Sequence, residues 1–467
     1  MLRFTHTLLH LAIWCSSLLF ADNDVEARIM ALSQRATATP LAPERSTFFP
    51  KSGVSDLLLP NGMRVVLKPM PDTEETLLHL FATGGSTSFP PEQVAEAKYC
   101  GTFALASDLT DISQEELWEF NFKYMIEVSA RTRPFQRRLE CSVPTDYLEQ
   151  ALAVIHHFLT DTQVTQKGMN RVLESAVDAI RYRSAACDVR YEDLYLSVNS
   201  GGHPLLKPAT VDQLNSIDFK DAQSALRASF RNAAQFTAVI VGEFDIETAL
   251  PLILRYLGTI PGQTEHALWP NPALRITFPK GKLSETLTCG HQGEILTRIT
   301  SPIKLPLTHD NINAFEVATQ VLELRLRSRL FEKLDSSYAV NVQYHLPLFP
   351  WISSLWLTVQ YRCPSEKIPI IERICIEEMH MLQETPPSAK EMQTARTLLH
   401  RVNFYWLQQT SFWTEMLSNY LEWGWSPACI AETCESLDSV TSEMVHSILQ
   451  QSYDIHNYTL LSLDSQE

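Results

Sequence analysis

The sequence predicts an α+β protein of two similar units, each with a mainly antiparallel sheet covered by a layer of helices. Three observations support this prediction. The chain has 467 residues, which is too many for one ordinary core and suits two domains. Strand-like and helix-like periodicities are mixed through both halves. Pro261-Gly262 and the proline-rich stretch 269–272 mark a boundary between the halves.

The composition is typical of a soluble globular protein, with 45% hydrophobic and 20% charged residues. The net charge of -16 argues against a nucleic-acid partner or an anionic membrane surface. Because the acidic residues are spread along the chain rather than grouped, they indicate a solvated acidic surface. The charge also fits a protein that handles basic peptides.

The N-terminus has the pattern of an export leader. Arg3 gives a positive start, residues 8–20 are mostly apolar, and Leu19-Phe20-Ala21 suits cleavage. This predicts a signal peptide over 1–21 and an exported, periplasmic location. The apolar run is short for a membrane span, so no span is expected once the leader is removed. Residues 22–53 contain few large apolar side chains and are predicted to be an extended linker or arm.

The first domain is predicted over 54–262 and opens with a hairpin. Asn61-Gly62 between two apolar runs is a strong hairpin pattern. Alternating or β-rich runs predict further strands at 77–83, 124–130, 138–143 and 236–244. Helical periodicity predicts helices at 93–109, 114–120, 147–159, 166–183 and 246–257.

The second domain, predicted over 263–467, repeats this mixture of elements. Strand material is expected at 283–299, 338–344, 354–361 and 458–463. Helices are expected at 311–334, 365–383 and 388–407. Because strands and helices are mixed in both domains, a helical layer on a sheet is expected in each.

Several segments, in this order and over roughly 400 residues, resemble the pitrilysin/insulinase-type zinc peptidases. The first hairpin ends in a Leu-Pro-Asn-Gly-Met-Arg-Val-Val-Leu run, the third strand ends in Gly-Gly-Ser, and a His-Pro-Leu-Leu-Lys-Pro-Ala-Thr segment follows later. The segments that carry the resemblance are 59–67, 78–85, 203–218, 236–245, 256–261 and 325–340. Together they are most similar to the non-catalytic half of the pitrilysin-like bacterial enzymes.

The resemblance implies a clamshell whose active half holds zinc through two His and a distal Glu, with a second Glu that activates water. The family carries this site on a His-x-x-Glu-His helix, and that motif is missing here. The corresponding helix, 93–109, has no histidine and presents Lys98 and Cys100. Its carboxylates are Glu92, Glu96 and Asp108. We therefore expect no catalytic residue, no metal and no cofactor.

Residues elsewhere in the chain correspond to the distal metal ligand and the substrate-binding positions of the family. Glu174 and Asp178 fall near the distal ligand and are weak metal candidates. The family's substrate-clamping Arg before Glu corresponds to Phe331 before Glu332, and Tyr338 matches the family's Tyr. Glu332 and Tyr338 are therefore the candidates for substrate binding, without the cationic contact.

Other reactive residue types favour structural roles, and Cys100, on the apolar side of its helix, is expected to belong to the core. Eight cysteines follow the leader without C-x-x-C spacing, so a cysteine zinc site is not expected. The closest pair, Cys429 and Cys434, could form a disulfide, but the pairing cannot be read from sequence. The adjacent His156 and His157 diverge on a helix and are expected to be structural, and His203 is expected to orient a loop. His291, His309 and His345 are scattered.

The aromatic residues 404–406, with Phe412, Trp413, Trp423 and Trp425, favour core and inter-domain packing, and an exposed patch for a partner is the alternative. No nucleotide-binding or serine-nucleophile motif occurs in the sequence.

These observations favour an exported non-catalytic homologue that binds a peptide or a catalytic subunit of the same family and closes a clamshell with it. An active zinc endopeptidase with an unusual site is one alternative. A structural protein of the envelope with the same fold is the other.

Overall fold

A computed structural model describes residues 24–30, 42–263, 276–289, 294–334, 339–345 and 355–464. The predicted signal peptide and the proline-rich stretch 269–272 lie outside the described residues. Among the residues described, no helix combines the length and hydrophobicity needed to cross a membrane.

Strands and helices are mixed in both halves of the chain, as predicted. The strands are β1 (Arg45–Phe49), β2 (Val54–Leu58), β3 (Arg64–Pro69), β4 (Glu75–Thr83), β5 (Glu127–Thr132), β6 (Gln136–Pro144), β7 (Thr237–Gly242), β8 (Lys282–Thr288), β9 (Ile295–Ile303), β10 (Asn341–His345), β11 (Leu355–Cys363) and β12 (Tyr458–Asp464). The helices of the first half are α1 (24–30), α2 (Val94–Leu105), α3 (Gln114–Lys123), α4 (Leu148–Thr160), α5 (Gln166–Ala185), α6 (Cys187–Asn199), α7 (Val211–Asn215), α8 (Phe219–Phe230) and α9 (Ile246–Tyr256). Those of the second half are α10 (His309–Leu334), α11 (Ile368–Glu384), α12 (Ala389–Trp406), α13 (Thr410–Glu422), α14 (Ala428–Ala431), α15 (Thr433–Ser439) and α16 (Ser442–Ser452).

The chain divides into two compact units that are not continuous in sequence. The first contains Met1–Ala176, Val211–Asn271 and Thr410–Ser418, and the second contains Val177–Thr210, Pro272–Gln409 and Asn419–Glu467. The boundary predicted between residues 262 and 263 assigns each half of the chain to one domain. It does not account for Val177–Thr210, which belongs to the second unit, or for Thr410–Ser418, which belongs to the first.

The first unit is built on a seven-stranded sheet in the order β1-β2-β3-β7-β4-β6-β5. Only the β3–β7 pair is parallel, and the other pairs are antiparallel. The predicted hairpin joins β2 to β3, with Leu58 opposite Arg64. Gly62 in its turn has a φ of 84°, a conformation that glycine adopts without strain.

A late segment, Thr410–Ser418 of α13, is part of the first unit. Trp413 is buried, and the Lys68 ammonium lies 4.6 Å from the centroid of its ring. Glu415 accepts a hydrogen bond of 2.9 Å from Arg138, a buried guanidinium on β6. Because a buried charge without a partner is costly, this ion pair helps to fix the segment.

The prediction of an extended arm over 22–53 is wrong for part of its length. Residues 24–30 form α1, and Ile29 is fully buried. The Ile29 carbonyl lies 2.9 Å from His157 Nε2, and Arg28 pairs with Glu116 at 2.5 Å. Val25 and Ile29, one helical turn apart, supply the apolar side that a composition average over 22–53 concealed.

The second unit contains a five-stranded sheet in the order β10-β11-β9-β12-β8. Only the β12–β8 pair is parallel. Side chains alternate along β12, so that Leu460 joins one apolar cluster while Leu461 and Leu463 join another. The first cluster includes α10, α11, α12 and α16, and the second includes Tyr191 and Tyr195 of α6. The α+β class is therefore confirmed.

The cysteine pairing differs from the one suggested by spacing. Cys187 and Cys289, separated by 102 residues, form a disulfide within the second unit. Cys429 and Cys434 are both free thiols, so the suggestion of a bridge between them is wrong. Sequence proximity carries little information here, because geometry at the Cα atoms decides which cysteines can be joined.

Several element limits also differ from the predictions. The strand material at 283–299 is two strands, β8 and β9, which are not neighbours in the sheet because β12 lies between them. The helices α6, α7, α8 and α13–α16 were not among the predicted elements. Periodicity passes over α7, α14 and α15 because they have only 5, 4 and 7 residues.

Candidate functional site

The helix in the position of the family's metal motif is α2, which follows β4 through Gly84-Gly85. Two short 3-10 turns, Ser86–Ser88 and Pro91–Gln93, lead into it. Pro91 suits the start of a helical turn because its ring fixes φ near the helical value and it has no N–H to leave unpaired. The inward side of α2 carries Ala97, Cys100, Phe103 and Ala104, all buried.

The Lys98 ammonium and the Cys100 thiol of α2 are poorly suited to metal binding. Burial lowers the pKa of the half-buried Lys98 ammonium. Burial also raises the pKa of the Cys100 thiol to about 11, which keeps it protonated at neutral pH. Its Sγ lies 3.3 Å from the Ala97 carbonyl and 3.9 Å from Thr132 Oγ1. The prediction that Cys100 belongs to the core is confirmed.

The next residue, Gly101, shows how closely α2 lies on the sheet. A Cβ atom at this position would lie 2.9 Å from the Ala130 Cβ and 3.1 Å from the Ala130 carbonyl oxygen. Real Cβ atoms rarely approach so closely, so no larger side chain fits here without movement of β5. This part of the helix surface is therefore used for packing.

Two carboxylates of this region accept backbone hydrogen bonds, and the third is exposed. Glu96 is buried and accepts a hydrogen bond of 3.1 Å from the Asp218 N–H at the start of α8. Asp108 accepts one of 2.8 Å from the Gln114 N–H before α3. Glu92 is exposed. Each of the first two satisfies a backbone donor next to a helix, which is an ordinary structural role.

The two weak metal candidates both lie on α5 and are exposed. Asp178 pairs with Arg181 at 3.1 Å, and Glu174 has its carboxylate in solvent. Within the described ranges, no group of three or more His, Cys, Asp or Glu side chains is placed to hold a metal ion. Zinc in catalytic sites needs three protein ligands of these types, so the residues present do not fit the family's zinc site.

The candidate substrate residue Glu332 lies at the end of α10 and is exposed, as is Phe331. It lines a groove of about 620 Å³ in the second unit, which we call the α10 groove. The charged residues of the α10 groove are Arg325, Arg329, Glu332, Glu378, Lys390 and Glu391. Tyr338, the other candidate, lies outside the described residues.

Ion pairs organise the α10 groove. Arg325 Nε lies 2.6 Å from Glu391 Oε1, and Arg329 Nε lies 3.4 Å from Glu378 Oε1. Burial raises the pKa of Glu391, but hydrogen bonds from Arg325 and Ser388 outweigh it and bring the pKa to about 2. Glu378 is almost fully buried, and this burial raises its pKa against the opposing effect of Arg329.

The histidines predicted to be structural are satisfied by nearby groups. His156 Nδ1 lies 2.7 Å from the Tyr256 carbonyl, and His157 Nδ1 lies 2.8 Å from Asp161 Oδ2. Both side chains are buried, which confirms their structural role. His203 opens a short turn in which its carbonyl accepts a hydrogen bond from the Leu206 N–H. His291 lies outside the described residues.

The interpretation of residues 404–406 as core is wrong. Phe404, Tyr405 and Trp406 are 70%, 57% and 43% exposed at the end of α12. Trp413 is buried, as predicted. Three consecutive aromatic residues cannot all face one side of a helix, since neighbours diverge by about 100°, so their exposure has a simple geometric reason. Their use as a partner patch stays a prediction.

Sequence reasoning missed a cavity of about 640 Å³ in the first unit, which we call the α3 cavity. Its apolar lining includes Leu105, Leu109, Leu117, Ile126, Val154 and Phe158. At its rim Trp118, Phe122 and Met125 are 58%, 72% and 61% exposed. The pattern that could have revealed it is the pair of aromatic residues four apart on α3, Trp118 and Phe122, which share one side of the helix.

Comparison with known proteins bears on this arrangement. Residues 219–399 match the family model of the peptidase M16 inactive domain. A zinc protease PQQL-like protein of Arabidopsis thaliana is 22% identical over 417 residues, which cover 86% of this chain and 41% of that protein. The probable zinc protease PqqL of Escherichia coli K12 is 22% identical over 444 residues, covering 92% and 46% of the two chains.

The fold is similar to that of a solved structure of the same group. The crystal structure of the periplasmic protease PqqL from Escherichia coli superposes with a TM-score of 0.74 and 18% identity, over 92% of this chain and 48% of that one. The chain thus spans about half the length of the curated relatives that it matches. The resemblance to insulinase-type, or M16, peptidases is confirmed in sequence and in fold.

Proposed function

We propose that this chain, a relative of the insulinase-type peptidases, is an exported, non-catalytic homologue that binds a peptide or a catalytic subunit of the same family. The observation that carries the proposal is the chemistry of α2. This helix presents Lys98, Cys100 and Gly101 where the family places its metal-binding residues. An ammonium group repels a cation, and a buried protonated thiol is a poor ligand.

The packing of α2 supports the same conclusion. Zinc ligands must converge on one open point and leave a position for water. Gly101 lies against Ala130 of β5, and Cys100 lies in the core between the helix and the sheet. The distal candidates Glu174 and Asp178 stand in solvent on α5. A helix that serves the core in this way acts as scaffold, and we assign it no catalytic step.

The partner is proposed from the clamshell of the family. The curated relatives are more than twice as long as the segment matched here, since that segment covers 41% and 46% of them. In the family's clamshell, one half carries the metal and the other encloses the substrate. A chain without the His-x-x-Glu-His motif would act by closing against a separate, zinc-bearing subunit or by holding a peptide itself.

Export is proposed from the leader and supported by two further observations. Cys187 and Cys289 form a disulfide, a bond that persists in oxidising compartments such as the periplasm. The similar Escherichia coli protein of known structure is described as a periplasmic protease. Fractionation of cells that express the full chain tests the location: we expect the mature protein in the periplasmic fraction.

Metal analysis together with a peptidase assay tests the absence of catalysis. We expect the purified chain to contain substoichiometric zinc and to cleave a fluorogenic peptide no faster than Lys98→Ala does. Stoichiometric zinc, lost in Glu174→Ala or Asp178→Ala together with chelator-sensitive cleavage, would overturn the proposal. Asp193→Ala is a matched control, since it removes an acidic side chain from another helix, α6.

Co-purification tests the partner. The chain is expressed with a zinc-bearing M16 peptidase encoded by the same genome, and the complex is isolated through a tag on either protein. We expect a complex of one copy of each, with higher peptidase activity than the zinc-bearing subunit alone. Absence of both the complex and the activation, in a preparation whose folding is verified by circular dichroism, would remove the clamshell from the proposal.

A further inference from the structure

The end of α3 exposes a stacked aromatic pair. Trp118 and Phe122 lie one helical turn apart with ring centroids 5.4 Å from each other and an interplanar angle of 17°. The side chains are more than half exposed, at 58% and 72%. Single exposed aromatic residues are common on soluble proteins, but a contiguous group around a cavity is characteristic of binding surfaces.

Met125, the third member of this group, is held in an unfavourable backbone conformation. Its φ is 50°, in the left-handed region where glycine is the usual residue. The helix end is well formed: the Ile126 N–H donates to the Asn121 carbonyl at 2.8 Å, and the Met125 N–H donates to Phe122 at 3.3 Å. This is the Schellman arrangement, so glycine would fit with less strain. Methionine here costs stability and adds a flexible apolar side chain at the rim.

The α3 cavity behind these residues is large enough to accept more than one side chain. Its volume of about 640 Å³ lies within the range of small-molecule and peptide pockets. The wall is apolar and comes from several elements: Leu105 at the end of α2, Leu117 on α3, and Val154 and Phe158 on α4. Phe158 is fixed by an edge contact to Phe230, with centroids 5.3 Å apart, so this wall is preformed.

Within the described residues, only some of the charged groups at the rim of the α3 cavity form ion pairs. The cation on this part of α3, Lys123, pairs with Glu26 at 3.0 Å, and Glu115 pairs with Lys167 at 3.3 Å. Glu119 and Glu127 are exposed, and neither makes an ion pair within the described residues. Glu127 also lines the α3 cavity. The rim therefore has two carboxylates available for a cationic partner, in a chain whose net charge is -16.

We propose that Trp118, Phe122 and Met125, the α3 surface, bind a basic amphipathic segment of a partner polypeptide. Apolar side chains of the segment enter the α3 cavity, and its Lys or Arg residues face Glu119 and Glu127. The inference rests on the proposed function and gives the chemistry of the peptide or subunit that the chain holds. Charge complementarity selects this occupant over a second copy of the chain, whose rim would bring the same carboxylates together.

Titration with synthetic peptides tests the proposal. The probe is a fluorescently labelled amphipathic peptide of leucine and lysine, added to the full chain and followed by anisotropy. The matched peptide of leucine and glutamate is the charge control. We expect micromolar binding of the first peptide, which weakens as salt rises, and at least tenfold weaker binding of the second.

Variants locate the binding surface. Phe122→Ala and Trp118→Ala are expected to weaken peptide binding about tenfold each, as is usual for anchor residues. Glu119→Gln combined with Glu127→Gln is expected to weaken it several-fold and to reduce the salt dependence. Phe48→Ala is the matched control, because Phe48 is also 58% exposed in the first unit but lies on β1. It is expected to leave binding unchanged.

Met125→Gly separates binding from folding. Because glycine suits the left-handed position, we expect this variant to melt at the same temperature as the wild-type chain or higher while it binds the peptide several-fold more weakly. A merely structural methionine would give unchanged binding. Phe122→Leu, which keeps an apolar side chain, is expected to retain most of the affinity.

Three outcomes would overturn the proposal. In the first, the leucine and lysine peptide fails to bind. In the second, it binds Phe122→Ala and the wild-type chain equally, as expected for non-specific attraction to an acidic protein. In the third, the chain self-associates through Phe122 and takes up no peptide, which would assign the α3 surface to a second copy. Peptide binding through this surface without any co-purifying peptidase would remove the clamshell and leave this inference standing. A co-purifying, activated peptidase whose binding does not require Phe122 would support the clamshell and overturn this inference.

Discussion

The α3 cavity of the first unit and the α10 groove of the second have similar volumes, about 640 and 620 Å³, but opposite chemistry. The first is lined mostly by aliphatic and aromatic side chains, with exposed aromatic residues at its rim. The second is lined by guanidinium, ammonium and carboxylate groups, and its two arginines form ion pairs, Arg325 with Glu391 and Arg329 with Glu378.

The difference indicates how much the side chains of each surface contribute to the stability of the fold. The two arginines of the α10 groove are engaged with Glu391 and Glu378, so removing one leaves its carboxylate without that partner. The rim of the α3 cavity has few partners within the chain, and its side chains contribute little to folding. Charged groups in the groove are thus expected to be structural, and the apolar rim is free to serve an external ligand.

The largest effect is expected from breaking a pair in the α10 groove. Arg329→Ala leaves the almost fully buried Glu378 without its nearest cation and should lower the free energy of unfolding by about 2–3 kcal/mol. Urea unfolding at neutral pH measures this change. Arg373 is an exposed arginine on α11, the helix that carries Glu378. Arg373→Ala is the control and should change the free energy of unfolding by less than about 0.5 kcal/mol. Equal effects of the two would contradict the assignment.

A pH series sharpens the same side of the comparison. In the folded chain the pKa of Glu391 is about 2, below its ordinary value of 4.5. Its ion pair with Arg325 therefore stabilises the fold fully above pH 4.5, and this contribution is lost as the pH falls towards 2. Glu391→Gln keeps an N3 side chain that can cap Ser388 but removes the charge. We expect it to be about 1–2 kcal/mol less stable than wild type at pH 7.

The two proteins should converge in stability as the pH approaches 2, which equilibrium unfolding at several pH values can follow. A constant difference between them across this range would indicate that packing, rather than charge, accounts for the effect.

On the apolar side, Met125→Gly is expected to increase stability. Glycine adopts the positive φ of this helix end without the strain of a side chain, a gain of about 1 kcal/mol. Thermal unfolding measures the gain. Asp72→Gly is the comparison, because Asp72 also has a positive φ, 59°, but aspartate tolerates this region better. A loss of stability in Met125→Gly would show that the methionine packs inward.

The smallest effect is expected for Phe122→Ala. Its side chain is 72% exposed, and its stacking on Trp118 is worth about 0.5 kcal/mol or less. Phe120, two residues earlier on α3, is 2% exposed, and its replacement by alanine should cost about 3–5 kcal/mol. Chemical denaturation of the two variants, side by side, checks this contrast. A large loss in Phe122→Ala would make the rim part of the core.

The elements with strong local patterns were predictable. Asn61-Gly62 fixed the first hairpin, and the long period of α10 gave its extent within two residues. The position of α2 followed from the Gly-Gly-Ser segment before it, and its buried Cys100 followed from the helical period. These predictions succeeded because the deciding interactions lie within one turn or one hairpin.

The features that depend on distant parts of the chain were not predictable. The disulfide joins Cys187 to Cys289, and Thr410–Ser418 belongs to the first unit although its neighbours do not. The α3 cavity forms where α2, α3 and α4 leave space between them, which no period reveals. The fate of residues 404–406 was misjudged because a count of aromatic residues does not tell which side of a helix is covered.

The position of β12 has a consequence for synthesis. This strand, Tyr458–Asp464, pairs with both β8 and β9 and so fills an inner place of the five-stranded sheet. Until residue 464 has left the ribosome, β9 has an open edge and β8 has no partner, and native pairing must wait for contacts of high sequence separation. The second sheet therefore reaches its native strand order only when synthesis of the chain is almost complete.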